Sequence, residues 1–151
     1  MQISAKSDYA IRAALEIARR EPELVTATEI VNGQDLPRKF VEAILSDLRR
    51  AGLVHTQRGS AGGYALTRPA REVSLGAIIR AVDGPLTAVR GVRPHETSYT
   101  GAAEHLPQLW VALRCSLRRV LDETTLQHIL TGRLPAGVRR LTETDDAWLP
   151  R

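Results

Sequence analysis

Residues 35–66 read DLPRKFVEAILSDLRRAGLVHTQRGSAGGYAL, and the first half of this stretch predicts a helix. Its apolar side chains recur at the i, i+3, i+4 and i+7 spacing of one helix face, at Val41, Ile44, Leu45 and Leu48. Pro37 suits the first turn, Asp35 can cap it, and Gly52 suits the position after the last turn.

The second half of the stretch predicts a small β-hairpin. Residues 53–58 are extended and β-prone, residues 59–63 are rich in glycine, and residues 64–66 form the returning strand. The glycines of the tip allow the backbone to approach a partner closely. Arg58 at the stem can reach a phosphate or the minor groove of DNA.

Double-stranded DNA is the partner that this pairing of helix and hairpin favours. A helix fits the major groove, and its amino end presents free N–H groups that attract phosphate. Residues 37–71 carry seven basic and two acidic residues, an excess of five, against +4 for the whole chain. Taken singly, each element could be an ordinary solvated helix or hairpin. The candidate DNA-binding residues are Arg38, Lys39, Phe40, Glu42, Arg49, Arg58, Gly59, Ser60, Gly62, Gly63 and Tyr64.

The residues before this stretch predict two further helices. Ser7 can cap a helix that runs to about Arg20, with a buried stripe of small or aliphatic side chains at Ala10, Ala13, Ala14 and Ile17. Residues 26–29 have the spacing of a capping box, and residues 32–33 suit the end of a short second helix. A short helix, a tight turn and a helix with a basic face form a helix-turn-helix.

After the hairpin, Ser74 can cap a further helix, and residues 83–85 mark the end of that helix. Residues 86–104 show no regular periodicity. The longest helical pattern follows at His105–Glu123, and a short last helix is expected at Thr125–Thr131. The long helix exceeds what is needed to cover the preceding domain, and proteins with a DNA-binding helix-turn-helix commonly bind pseudo-palindromic sites as dimers. We therefore expect a homodimer through Leu106, Leu109, Trp110, Leu113, Leu117 and Val120.

The expected fold is mainly α with a small β-hairpin wing. A winged helix-turn-helix DNA-binding domain occupies residues 1–84, and a loop occupies residues 85–104. The dimerisation helix and the short last helix occupy residues 105–132, and a flexible tail occupies residues 133–151. A hydrophobic fraction of 43% supports a core, and aromatic residues make up only 4% of the chain, so the core is aliphatic.

The pattern Leu36-Pro37-x-x-Phe40-Val41-Glu42-x-Ile44-Leu45, with Arg58-Gly59-x-x-Gly62-Gly63-Tyr64-x-Leu66, resembles the Rrf-two family of bacterial winged helix-turn-helix regulators. The likeness begins at residues 7–13, includes residues 73–85 and resumes at Trp110 and at residues 120–126. It covers most of the chain up to Gly132. The resemblance implies a dimeric, sequence-specific DNA-binding transcriptional regulator, and within that class it favours a repressor.

Many members of that family hold an iron–sulfur cluster on three cysteines, and this sequence departs from the pattern. With Trp110 aligned, those positions fall near Val92, Ser98 and Glu104, none of which supplies a thiolate. A histidine ligand of some relatives would fall near Pro107, and Asp8, where some place a carboxylate, cannot hold iron alone. We therefore expect no cofactor and no metal.

Two weaker candidates for a sensor remain. His95 and His105, with Glu96 and Glu104, supply donor atoms but match no spacing of metal ligands, so we interpret them as solvated side chains. Cys115, the one cysteine, has three arginines within a helical turn and could act as a redox switch. The simpler interpretation is an inert small residue on the second face of the helix.

Other classes of protein fit the sequence less well. No apolar run approaches the length of a membrane span, and the amino terminus lacks a signal-peptide pattern, so we expect a cytoplasmic protein. No phosphate-binding loop or metal cage points to an enzyme. The alternatives to a cluster-free regulator are a helical module that binds a protein partner through residues 86–104, and a thiol-based sensor that uses Cys115.

Overall fold

The computed structural model describes residues 2–150, in which helices and one antiparallel β-hairpin follow the predicted order. The hairpin consists of β1 (Val54–Gln57) and β2 (Gly63–Leu66). This architecture confirms the predicted fold class. The helices are α1 (Ala5–Arg19), α2 (Ala27–Gln34), α3 (Arg38–Arg50), α4 (Leu75–Asp83), α5 (Leu106–Glu123), α6 (Leu126–Thr131) and α7 (Ala136–Arg140). Within the described residues, none of these helices is long and apolar enough to span a bilayer.

Helix α1 lies at the centre of the fold and packs against α2, α3, α4, α6 and β2. Its inner face carries small side chains, Ala10, Ala13 and Ala14, all at most 1% exposed. Because a methyl group takes little space, the neighbouring helices approach α1 closely on several sides. The small-residue stripe that the sequence predicts for α1 is therefore the centre of the core.

The four apolar residues predicted for the inner face of α3 are fully buried, and each is 0% exposed. Leu126 of α6 joins the same core and is also 0% exposed. The core of the amino-terminal helices therefore includes a residue of an element that follows the long helix.

The start of α1 differs from the expected cap. Ser4 is the N-cap residue and accepts a 2.9 Å hydrogen bond from the Ser7 N–H, while the buried Ser7 hydroxyl donates to Asp83 at 2.6 Å. The Ser4 hydroxyl also donates to Asp83. These hydrogen bonds lower the pKa of Asp83. Ser7 therefore connects α1 to the end of α4 through a hydrogen bond and is not the N-cap residue.

The junction between α2 and α3 also differs from the prediction. Helix α2 continues past residues 32–33 to Gln34, and Asp35 ends it with a left-handed φ of 49°. Asp is one of the few residues that adopt this conformation readily, because its side chain can hydrogen-bond locally. Pro37 occupies the N-cap position of α3 and supplies no side-chain cap, so Asp35 does not cap α3.

The hairpin is fixed to the helix-turn-helix by a third segment of chain. Val25, just before α2, exchanges backbone hydrogen bonds of 2.9 and 2.8 Å with Tyr64 of β2. At Gly63 a side-chain carbon would lie 2.9 Å from the Val25 carbonyl oxygen, so the approach requires glycine. This contact holds the wing in a set position relative to α2 and α3.

The carboxyl end of α5 is anchored to α4. Asp122 accepts a 2.6 Å hydrogen bond from Arg80, and its carboxylate lies against Gly76, where any side chain would collide with it. The chain then pairs with the segment before α4, through hydrogen bonds from Leu75 N to Thr124 O at 2.9 Å and from Leu126 N to Val73 O at 3.0 Å. These hydrogen bonds position the start of α6 against the core.

The loop and the tail contain more regular structure than the sequence suggests. Two 3-10 turns lie in the expected loop, at Pro94–Glu96 and Gly101–Ala103. The expected flexible tail contains α7 and a 3-10 turn at Asp145–Trp148, while Arg151 lies outside the described residues. Helix α7 contacts α5, which explains how so short a helix is supported.

A buried carboxylate connects α1 to α2. Glu16 is 1% exposed and accepts hydrogen bonds from Arg19 at 2.6 Å, Gln34 at 3.2 Å and Arg20 at 3.3 Å. A side-chain carbon at Gly33 would lie 2.8 Å from this carboxylate, so glycine makes room for it. Burial alone would raise the pKa of Glu16, but the hydrogen bonds and the two arginine charges outweigh burial and lower it.

The lowered pKa of Glu16 predicts a loss of stability in acid. A carboxyl group whose pKa is lower in the folded than in the unfolded state stabilises the protein above its unfolded pKa of about 4.5, and this stabilisation disappears as the pH falls through the folded pKa. Glu16→Gln should lower the free energy of unfolding at pH 7 by about 1–3 kcal/mol and should flatten its decline in acid. Urea unfolding between pH 7 and pH 3 measures both effects.

The matched control is Glu23→Gln, which changes an exposed carboxylate and should leave the pH profile unchanged. Asp47 and Asp83 also have lowered pKa values, so Glu16→Gln should remove only part of the acid dependence. A Glu16→Gln profile parallel to that of the wild type would contradict the assignment.

Candidate nucleic-acid interface

The amino-terminal half of α3 presents a polar surface to solvent. Arg38, Lys39 and Glu42 are exposed on the side opposite the buried stripe. Arg38 Nε lies 3.4 Å from Glu42 Oε1, and Arg38 also donates a 3.3 Å hydrogen bond to the Thr28 hydroxyl of α2. Glu42 and Thr28 therefore hold the guanidinium of Arg38 on the exposed surface.

Several basic residues of α3, of the hairpin and of the segment just after it have no acidic partner. Across residues 2–150, no carboxylate lies within 4 Å of the side-chain nitrogens of four exposed residues, and these are Lys39, Arg49, Arg58 and Arg68. Arg50 and Lys6 are different, because both pair with Asp47, at 3.0 and 2.7 Å. The hydrogen bond and charge of Lys6, together with Arg50, lower the pKa of Asp47 against the effect of burial. The unpaired cations are available to an anionic partner.

The hairpin tip has a fixed backbone shape. Gly59 has a φ of 114°, and the Gly62 N–H donates a 3.0 Å hydrogen bond to the Gly59 carbonyl. A side chain at Gly62 would collide with the Gln57 carbonyl oxygen, so the turn requires glycine there. Arg58, Gly59 and Ser60 are exposed, whereas Gly62 is half-buried. The tip thus presents one cation and one hydroxyl on a narrow loop.

Some of the expected contact residues have structural surroundings of their own. Gly63 and Tyr64 are half-buried, and both are engaged with Val25. Phe40 is 48% exposed and packs edge-on against Tyr9, with ring centroids 5.6 Å apart. Arg12 lies 5.9 Å from the centre of the Tyr9 ring. These contacts give Gly63, Tyr64 and Phe40 structural roles that do not require a ligand.

Thr28 was not predicted from the sequence as a contact residue. It is exposed in the first turn of α2, and its hydroxyl accepts the hydrogen bond from Arg38. The available signal was the capping box Thr26–Glu29, which marks a helix start, where free N–H groups attract phosphate. Two helix starts, those of α2 and α3, therefore meet through one hydrogen bond.

The long helix α5 is incompletely covered by its own chain, and none of its residues is fully buried. Leu109 is 55% exposed, and the other five residues of the expected dimerisation stripe are half-buried. Leu117 borders a cavity with Ile3 and Ile79, while Trp110 donates a 3.2 Å hydrogen bond to the Tyr99 hydroxyl. Cys115 is exposed on the other side of the helix.

The histidines and glutamates of the loop do not come together. His95 lies beside Glu96 at 3.8 Å, and His105 lies beside Glu104 at 3.2 Å, each next to its neighbour in sequence. Throughout the described part of the chain, no group of three or more His, Cys, Asp or Glu residues is close enough to share a metal ion.

Comparisons with known proteins place this geometry in a family. The Rrf2 model, described as an iron-dependent transcriptional regulator, matches residues 3–132. The chain is 40% identical over 144 residues to Rv1287 of Mycobacterium tuberculosis H37Rv, provisionally named an HTH-type transcriptional regulator, with 95% of this chain and 89% of that one covered. It is 32% identical to the HTH-type transcriptional regulator CymR of Bacillus subtilis, with 85% and 89% covered.

Solved structures agree with the sequence relatives. The structure of CymR from B. subtilis, described as the global cysteine regulator of that organism, matches with a TM-score of 0.73 and 29% identity over 87% of this chain and 98% of that one. IscR from T. potens matches with a TM-score of 0.69 and 25% identity over 100% and 93%. The chain belongs to the Rrf2 family and is a DNA-binding transcriptional regulator.

Proposed function

We propose that the protein acts in the cytoplasm as a homodimer that binds a pseudo-palindromic operator in double-stranded DNA and represses transcription, without an iron–sulfur cluster and without catalytic activity. Helix α3 reads bases in the major groove, and the hairpin anchors the protein to the DNA backbone. The observation that carries this proposal is the set of unpaired cations on α3, at the hairpin tip and in the segment just after β2, which are Lys39, Arg49, Arg58 and Arg68.

The arrangement of charge supports different roles for helix and hairpin. Arginine can pair with guanine, and a carboxylate can accept from cytosine while it repels phosphate elsewhere. Glu42 is exposed within reach of Arg38, so the two side chains can act on neighbouring positions of one site. Arg58 stands alone at the hairpin tip, which suits a contact with phosphate that carries no sequence information.

Selection from randomised duplexes, followed by genome-wide occupancy, tests the proposal. We expect an enriched sequence with two inverted half-sites whose centres lie about one helical turn, or a multiple of one turn, apart. Occupied sites should lie in promoters whose transcription rises when the gene is deleted. Enrichment of a single, non-repeated half-site would contradict the dimeric reader, and falling transcription would contradict repression.

Substitutions at Glu42 and Arg58 should have different effects on DNA binding. Glu42→Ala removes the repulsive carboxylate and releases Arg38, so it should reduce discrimination at one base pair by about 1–3 kcal/mol with little loss on the best sequence. Arg58→Ala should weaken all sequences alike and lower the salt slope by about one per monomer. Competition binding on the selected operator and on randomised DNA, at several salt concentrations, measures both.

The control for charge is Glu143→Ala, which removes an exposed carboxylate in the tail and should leave specificity unchanged. If Arg58→Ala changed base preference and Glu42→Ala did not, the roles of helix and hairpin would be exchanged.

Dimerisation through α5 gives a further prediction. Leu109→Asp places a charge on the most exposed leucine of the stripe, where the fold itself should tolerate it. The variant should sediment as a monomer and lose about a hundredfold in operator affinity, because one half-site binds without the gain from the second. The same substitution at Leu149, which is 64% exposed in the tail, is the control. A dimeric Leu109→Asp protein with normal affinity would refute the assignment.

The residues of the loop do not fit the iron–sulfur cluster found in relatives. The three aligned positions, Val92, Ser98 and Glu104, offer no thiolate, and the one cysteine, Cys115, lies on α5. Such clusters are held mainly by cysteine thiolates, so a single thiol is an inadequate donor set. No step of the proposed function therefore involves a cluster.

Protein purified without oxygen should consequently be colourless, with no visible charge-transfer absorption and no stoichiometric iron or sulfide. Operator binding should be the same before and after exposure to air. A cluster-bearing member of the family, prepared in parallel, controls for loss of a cluster during purification. Brown protein with stoichiometric iron and sulfide would reveal a ligand set that the fold does not explain.

A further inference from the structure

A cationic cavity lies between the end of α4, the loop that follows it and the middle of α5. Its volume is about 520 Å³. No acidic residue lines it, while one histidine, His95, does. Its four guanidinium groups come from three separate parts of the fold, and they belong to Arg80 of α4, Arg93 of the loop, and Arg114 and Arg118 of α5.

The carboxylates near this cavity do not balance its charge. Asp122 pairs with Arg80 at 2.6 Å and lies 3.9 Å from Arg118, so one carboxylate serves two arginines. The side chains of Arg93 and Arg114 have no carboxylate partner within residues 2–150. Like charges confined to one concave site repel each other, and an anion that enters would relieve that repulsion.

Two polar atoms at the cavity lack hydrogen-bond partners. Arg114 Nε and the Thr87 hydroxyl are both buried, and both residues line this cavity. The Arg114 guanidinium is held in place because Nη1 lies 2.8 Å from His95 Nδ1, which can accept the hydrogen bond. Buried polar atoms in folded proteins nearly always have a hydrogen-bond partner, so hydrogen bonding is incomplete in this part of the cavity wall.

We propose that this cavity binds a small polyanion with at least two carboxylate or phosphate groups, and that its binding regulates the interaction with DNA. The oxyanion pairs with the guanidinium groups of Arg93 and Arg114, which have no carboxylate partner within the described residues. The regulatory part rests on the proposed function. Because the ligand bridges α4, the loop and α5, its binding draws the long helix toward the DNA-binding unit and changes the spacing of the two readers in a dimer.

Isothermal titration calorimetry on the full chain tests the site independently of DNA. Citrate and inorganic pyrophosphate are the probes, each compared with sodium chloride at equal ionic strength in metal-free buffer. We expect saturable binding with one site per chain for at least one probe, and the probe that binds identifies the ligand as carboxylate or phosphate. Absence of saturable binding to both probes would overturn the proposal.

Charge-matched variants separate the cavity from general attraction to a basic protein. Arg93→Gln with Arg114→Gln removes two arginines from the cavity and should weaken binding by about tenfold or more. Arg119→Gln with Arg133→Gln removes the same charge from exposed positions outside it and should bind as the wild type does. Circular dichroism and thermal unfolding verify both folds. Equal weakening in the two double variants would refute a defined site.

The regulatory part is tested on the selected operator by fluorescence anisotropy. A saturating probe should shift the operator affinity of the wild type by about threefold or more, and the cavity variant should not respond. An unchanged affinity in the wild type would overturn regulation while leaving the calorimetric site in place. If the cavity variant lost operator affinity without any probe, the arginines would belong to the DNA interface. If the wild-type protein bound no operator, the proposed function would be refuted. The calorimetric titration would still decide whether the cavity binds a polyanion.

Discussion

Close packing around the alanine face of α1 is the constraint on which the rest of the structure depends. Five elements pack against this helix, and only small side chains let them do so at once. Hydrogen bonds and ion pairs then fix the orientation of the neighbouring helices. Asp83 of α4 bonds to the start of α1, and Lys6 of α1 pairs with Asp47 of α3. Near the other end of α1, Glu16 accepts a hydrogen bond from Gln34 of α2. The central helix thereby sets the position of α3.

The same packing leaves the outer side of α3 free to carry charge. Its four large aliphatic residues are fully buried in the core, so the opposite side contributes little to stability and can carry charge. The wing is positioned separately, through the strand pairing between Val25 and Tyr64. Its exposed tip can therefore carry Arg58 and three small residues without weakening the core, which is the usual separation of scaffold and binding surface.

Sequence periodicity predicted helices α1 to α6, the hairpin and the buried faces of α1 and α3 correctly, because these depend on local spacing and on the apolar stripe, whereas α7 was not predicted. Contacts distant in sequence were not predictable in this way. Ser7 has the sequence pattern of a helix N-cap, yet its hydroxyl donates a hydrogen bond to Asp83. Asp35 ends α2 instead of capping the start of α3. The residues of the candidate interface followed from charge and position, whereas Thr28 required knowledge of where α2 meets α3. The cationic cavity combines three segments that no local pattern connects.

The return of the chain after α5 has a consequence for how the protein is made. Leu126 is fully buried in the core of the amino-terminal unit, and it is synthesised only after the long helix. A nascent chain that ends before this residue exposes the pocket that Leu126 fills, against Val73 and its neighbours. Helix α1, against which α6 packs, therefore gains its last neighbour late in translation. Premature termination within α5 would release an incompletely packed domain, which quality-control proteases can degrade.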